Sequence, residues 1–279
     1  MNKNRILSNG VEMPSIGMGT YQMDRKTLQN VLLTGTSYGF RCIDTARDYW
    51  NEPLVGEAMK IVQRKNGLKR EDLFITTKIG NSQQIIGNIE QQIDISLKSL
   101  QTDYVDLWLM HWPYPGHYIE TWHKMEKIYY SGKVRAIGVC NFRERHLNAL
   151  IESGISIMPM VMQIEYHPLG TIKPMIALCD KYGIQVEAYS PLCLMDKRLI
   201  ESEKLKSLAV KYNKTIPQII LRWDIQQGII PVFKSATPHR LKENINIYDF
   251  TLTSDEMELI FTMNEDYKFH PESINCPGY

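Results

Sequence analysis

Four residues of this sequence could together manage a proton: Asp44, Tyr49, Lys78 and His111, carried by the stretches IDTARDYWNE, TTK and LMHWP. A phenol ordinarily keeps its proton up to a pH of about 10. At about 4 Å and an effective dielectric near 20, attraction between phenolate and ammonium is roughly 4 kcal/mol, enough to make the phenol about a thousandfold more acidic. Lys78 is the candidate ammonium. Burial strips a lysine of solvation, so a carboxylate must keep it charged and oriented, and Asp44 can take that part. A neutral His111 could donate a hydrogen bond or join the proton transfer. Such a set suits an oxygen that gains negative charge and needs a proton, as a carbonyl oxygen does when hydride adds to its carbon.

Taken singly, each residue has a plainer reading. Asp44 alone is a strand-end cap, Lys78 a solvated lysine, His111 a partly buried histidine, and Tyr49 with Trp50 rim packing. What speaks for chemistry is that all four fall in order at the ends of successive predicted strands.

The elements that must position them follow a regular beat. Asn9-Gly10 sits between two short apolar arms and predicts a hairpin, serving as a lid or plug. After it, the runs SIGMG, RCIDT, LFITTK, YVDLWLMH, AIGVCN, MVMQIE, QVEAYS and GIIPVFKS read as eight strands. Segments of helical period separate them: Thr27 to Tyr38, Pro53 to Arg64, Ile86 to Leu100, Tyr118 to Tyr130, Arg143 to Glu152 and Ile172 to Tyr182. Glu203 to Tyr212, Ile216 to Gln227 and Ser254 to Asn264 complete the series. Alternation of this kind suits a closed barrel or an open doubly wound sheet. No GxGxxG follows the first strand, and Gly17 and Gly19 lack a third glycine, which weighs against the open dinucleotide-binding sheet. Polar residues mark the strand ends instead: Asp44, Lys78, His111, Asn141, Gln163, Tyr189 and Lys234. That is where a (β/α)8 TIM barrel gathers its active site, so the expectation is one such barrel over residues 1–279, with an N-terminal β-hairpin and a C-terminal loop over the active-site face.

Bulk properties set the context. The chain of 279 residues is 43% hydrophobic, and its 32 basic against 31 acidic residues leave a net charge of +1. No general field draws it to nucleic acid or to anionic membrane surfaces. Five scattered cysteines without CxxC or Cys/His spacing argue against a disulfide frame or a metal site and fit a reducing compartment. Neither a signal-peptide run nor a membrane-spanning apolar stretch is present in the sequence, and a cytoplasmic location is expected. Oligomeric state cannot be read from it.

The motifs GFRCIDTARDYWNEPLVGEAM, FITTKI, YVDLWLMHWP, AIGVCNF, MQIEYHP, EAYSPL and FKSATPHRLKEN together resemble the aldo-keto reductase family over nearly the whole chain. The resemblance implies an NADPH-dependent reductase of aldehydes or ketones in which Asp44, Tyr49, Lys78 and His111 form the catalytic tetrad and Tyr49 is the general acid. It places Cys140, Asn141 and Gln163 at the nicotinamide amide and Tyr189 on its ring. Ser190 and Leu192 would lie along the pyrophosphate, and Lys234, Ser235 and Arg240, with Glu243 and Asn244 nearby, at the adenosine phosphate. Amides and an aromatic face suit a nicotinamide, and arginine plus lysine suits a phosphate dianion. By itself the last stretch reads as an ordinary basic helix start.

Several positions depart from the family pattern. Cys140 replaces a serine, Met162 an asparagine, Phe233 a proline, and Gly80 a tryptophan two residues after the lysine. Arg47 and Asp48 put charge beside Tyr49. These changes suggest a wide, polar substrate pocket lined by Tyr21, Asp48, Trp50, Trp112 and the tail around Ile274 to Cys276. The plainer alternative pairs Arg47 with Asp48 or turns both to water. Two other functional readings stay open at this point: a nicotinamide-binding, redox-sensing module with little turnover, and another barrel chemistry such as isomerisation without a nicotinamide.

Overall fold

The computed structural model describes residues 4–271 together with Cys276 and Tyr279. Strands β1 (Asn4–Ile6) and β2 (Glu12–Pro14) pair antiparallel. Gly10 turns the chain between them at φ 85°, a left-handed conformation that glycine adopts without a Cβ clash. Eight parallel strands then close into a barrel: β3 (Gly17–Gly19), β4 (Cys42–Asp44), β5 (Phe74–Ile79), β6 (Val105–Met110), β7 (Val134–Cys140), β8 (Val161–Glu165), β9 (Gln185–Tyr189) and β10 (Ile230–Phe233). Each pairs with the next, and β10 returns to β3, the closed barrel that the polar strand ends favoured over an open sheet.

The hairpin is a plug rather than a lid. Asn9 donates to the carbonyl of Arg135 near the start of β7, and Arg5 donates to the carbonyl of Ile225 at the end of the helix Ile216–Gln226. Leu7 and Met13 are buried with Cys42, Phe74, Leu107 and Met160, closing the barrel at the amino ends of its strands. Burial of each such side chain contributes roughly 1.5–3 kcal/mol. A second, larger core lies between strands and helices, where Trp108, Trp122 and Trp223 are all buried.

One expectation about helices needs correction. The predicted helix from Ile86 to Leu100 is two, Asn81–Ile86 and Ile89–Leu100. Gly87 ends the first at φ 76°, and Asn88 caps the second by accepting from the Gln91 amide. The basic stretch after β10 forms a helix, Pro238–Ile245. Among the described residues no helix is long and apolar enough to cross a membrane.

Described residues of the C-terminal segment contact the carboxyl end of the barrel. The backbone N–H groups of Phe269 and His270 donate to the Glu165 carboxylate at the end of β8, and the Tyr279 hydroxyl donates to the Asn141 carbonyl at 2.6 Å. Of the tail expected to line the pocket, Ile274 and Asn275 lie outside the described residues, and Cys276 is buried.

Candidate active site

Parallel register carries the candidate side chains to one end of the barrel. Asp44 is the last residue of β4, Lys78 lies near the end of β5, and His111 follows β6, with its N–H bound to the Ile79 carbonyl at 2.9 Å. Tyr49 comes from the short 3-10 turn Arg47–Tyr49 beyond β4. The four converge as the sequence implied. The Lys78 ammonium donates to both oxygens of Asp44 at 2.7 Å, to the Thr45 carbonyl at 3.0 Å and to the Tyr49 hydroxyl at 3.3 Å. The Tyr49 and His111 rings meet edge to face, 5.7 Å apart.

Electrostatics in the protein alone differ from the expected balance. Burial pushes Tyr49 up from its ordinary value; the Lys78 ammonium acts downward but does not offset it. Burial pulls Lys78 down, yet Asp44, seconded by Tyr49, outweighs that and holds it above its ordinary value. At neutral pH the pair is therefore an ammonium beside an intact phenol. The expectation of an acidified phenol weighed Coulomb attraction at an effective dielectric near 20 and omitted the desolvation of the phenolate, which is the larger effect here.

His111 has a partner of its own, the carboxylate of Asp48, 3.3 Å from Nδ1. An ionised carboxylate only accepts, so Nδ1 carries the proton and the neutral ring presents Nε2 as an acceptor. Burial lowers the His111 pKa, with Asp48 opposing, so the ring is neutral at pH 7. The His111 proton is then directed at Asp48, whereas the Tyr49 hydroxyl accepts from Lys78 and keeps its own proton to donate. Arg47 does not pair with Asp48: its guanidinium sits 3.5 Å from Glu52.

Behind this group lies a second carboxyl, on Glu187 of β9, that the sequence reading passed over. The Gln163 amide nitrogen donates to Asp44 at 2.9 Å and to Glu187 at 2.6 Å, while the other Glu187 oxygen is buried without a hydrogen-bond partner. A signal was available: Glu187 stands two residues before Tyr189, and alternate residues of a strand share a face. Burial first, then the Asp44 charge, push Glu187 up to about 8.

The residues assigned to a nicotinamide lie together at the ends of β7 to β9. Asn141 donates to the His111 carbonyl at 3.0 Å and accepts from the Tyr189 hydroxyl at 2.7 Å. The Cys140 thiol donates to Gln163 Oε1 at 3.5 Å, longer than a hydroxyl in its place would sit. Asn141 at φ 62° and Ser190 at φ 50° are left-handed, a costly conformation for residues with a Cβ and one that gathers at ligand sites. Leu192 borders the short turn Cys193–Met195. At the far side, Lys234 follows β10, Ser235 bonds within its own turn to Thr237, and Arg240, Glu243 and the buried Asn244 belong to the helix Pro238–Ile245. Lys234 and Arg240 are exposed and make no ion pair among the described residues. Two open cations, amide groups and an aromatic hydroxyl along one rim form a donor set that fits a phosphorylated nicotinamide dinucleotide.

Of the pocket candidates, Tyr21 stacks at a tilt on Tyr49, ring centres 4.9 Å apart, and Trp112 lies 6.4 Å from the His111 ring and 5.8 Å from that of Tyr279. Trp50 is 82% exposed and lines no buried part of the cleft. Met162 and Phe233, two of the unusual positions, are core residues, Phe233 packing on Phe40.

A model of the Aldo/keto reductase family matches residues 15–265. The glyoxal reductase of Bacillus subtilis is 42% identical over 266 residues, 95% of this chain and 94% of its own. The methylglyoxal reductase DkgA of Escherichia coli is 39% identical over 275 residues, 98% of this chain and 97% of its own. Among solved structures, a Bombyx mori aldo-keto reductase in complex with NADP superposes with a TM-score of 0.91 at 32% identity, covering 97% of this chain and 95% of the other. Matches of this identity, spanning the barrel from end to end, establish that the chain belongs to the aldo/keto reductase family.

Proposed function

We propose that this chain reduces the carbonyl group of a small aldehyde or ketone to an alcohol with NADPH, and that Tyr49 supplies the proton. The observation that carries the reading is the Lys78 ammonium held between the Asp44 carboxylate and the Tyr49 hydroxyl. When bound, the nicotinamide supplies hydride. Asn141, Gln163 and Tyr189 would hold its ring end and Lys234 and Arg240 its 2′-phosphate. The chain's own residues manage the proton. An intact phenol is poised as an acid, and as its proton leaves, the developing phenolate meets the ammonium 3.3 Å away. Asp44 keeps that ammonium charged and aimed. Burial strengthens this attraction, because water does not compete for either charge, and the attraction offsets part of the phenolate's desolvation.

The names of the Bacillus subtilis and Escherichia coli relatives favour glyoxal and methylglyoxal as substrates to try first. Five free, buried cysteines support a reducing cytoplasmic setting. The test is loss of reduced-nicotinamide absorbance with these aldehydes. Tyr49→Phe is expected to lower kcat by roughly 100- to 10,000-fold while NADPH binding stays within about threefold. Wild-type turnover persisting in that variant would refute the assignment of the acid. Tight NADPH binding with no turnover by the unaltered protein would favour a redox-sensing module instead.

A further inference from the structure

We propose that Asp48 is a specificity-determining residue that turns away anionic carbonyl compounds, so that the cleft selects neutral, hydroxylated or hydrated small aldehydes over their carboxylate-bearing counterparts. The inference deepens the reductase reading and rests on it.

Three observations place an uncompensated negative charge beside the reacting groups. Asp48 precedes Tyr49 in the turn, and its carboxylate lies 3.3 Å from His111, at 34% side-chain exposure. It touches the His111 ring on one side and solvent on the other. Second, the space it fills exists because residue 80 is glycine: a Cβ there would come within 2.1 Å of both Asp48 oxygens. Any side chain at that position evicts the carboxylate, so Gly80 and Asp48 act as one device. Third, the nearby charges leave Asp48 unbalanced. Asp44 and Lys78 cancel one another, Arg47 is engaged by Glu52, and His111 is neutral at pH 7. Lys268 acts on Cys140 and His270, toward the later strands of the mouth.

On this proposal, a substrate whose carbonyl oxygen reaches Tyr49 would carry its neighbouring carbon past the His111 ring, which lies 5.7 Å from the Tyr49 ring and bears Asp48 at 3.3 Å. A carboxylate on that carbon meets like charge, which at about 6 Å and an effective dielectric near 20 weakens binding by roughly tenfold to a hundredfold. A hydroxyl on the same carbon can donate to Asp48 Oδ1, which makes no hydrogen bond among the described residues.

Glyoxal and glyoxylate form a matched pair, differing by one aldehyde in place of one carboxylate. Measured with NADPH, kcat/KM of the unaltered enzyme is expected to favour glyoxal by roughly tenfold or more. Asp48→Asn is expected to raise the glyoxylate-to-glyoxal ratio by roughly tenfold, and Gly80→Ala to move it the same way. If Asp48 serves only to orient His111, both substrates suffer alike in Asp48→Asn and the ratio stays fixed, which overturns the proposal. Binding of glycolate to the enzyme saturated with NADP+, followed by titration calorimetry, gives a readout without turnover. It is expected to tighten roughly tenfold in Asp48→Asn; equal or absent affinity in the two proteins also overturns the proposal. Tightening of glycolate without turnover of either aldehyde would sink the reductase reading and leave the charge filter standing.

Discussion

At the residue scale, one buried amide ties two carboxyls to the proton-handling pair: Gln163 donates to Asp44 and to Glu187. The two carboxyls are not equivalent. Asp44 has the ammonium of Lys78, whereas Glu187 has one oxygen without a partner, and burial pushes it up to about 8. An acid held above its ordinary value of 4.5 in the folded protein binds its proton more tightly there than in the unfolded chain. Its contribution to stability is therefore full below the unfolded value and declines as pH rises through the window from about 4.5 to about 8. Glu187→Gln keeps the shape, removes the proton, and is expected to flatten that decline, which at its steepest amounts to about 1 kcal/mol per pH unit. Thermal unfolding of the two proteins between pH 5 and 8 checks it: parallel curves would show that Glu187 does not titrate in this window.

Among the elements, the N-terminal hairpin and the turn Arg47–Tyr49 lie at opposite ends of the barrel. The hairpin seals the amino end through Leu7 and Met13, and Tyr49 projects from a turn at the carboxyl end. Loss of the buried Met13 side chain should therefore be felt in stability and not in chemistry. Met13→Ala is expected to cost about 2–4 kcal/mol of unfolding free energy, with kcat unchanged within about twofold. Denaturant unfolding and steady-state rates separate the two effects. A fall in kcat as large as the fall in stability would mean that the plug is coupled to the active-site end.

On the scale of the whole molecule, closure of the barrel draws one ligand surface from strands far apart in sequence. Asn141 and Gln163 stand at one side of the mouth, Lys234 and Arg240 at another, with His270 bound to Glu165 and Tyr279 to Asn141. If Arg240 meets the 2′-phosphate of NADPH, Arg240→Ala is expected to weaken NADPH by roughly tenfold or more and NADH by less than about twofold, measured by fluorescence quenching. Equal weakening of both would remove Arg240 from the phosphate site. Much of this was legible before any coordinates. Short apolar runs between helical segments gave eight strands, and polar residues at their ends pointed to one face of a barrel as the candidate site, because a closed parallel barrel gathers such residues at its carboxyl end. The hairpin was legible from Asn9-Gly10, since few turns tolerate those two residues as well. The break at Gly87 was not, because one glycine within a helical pattern is compatible with continuing or stopping. Local pattern thus gave the strand and helix series, the polar residues at the strand ends pointed to the barrel, and the same residues supplied the four candidates for handling the proton. Tertiary structure alone decided that Arg47 turns to Glu52 and Asp48 to His111, that Glu187 shares the Gln163 amide with Asp44, and that burial outweighs Lys78 in setting the acidity of Tyr49. Charge pairing and desolvation depend on distances across the barrel, and spacing along the chain carries no record of those distances.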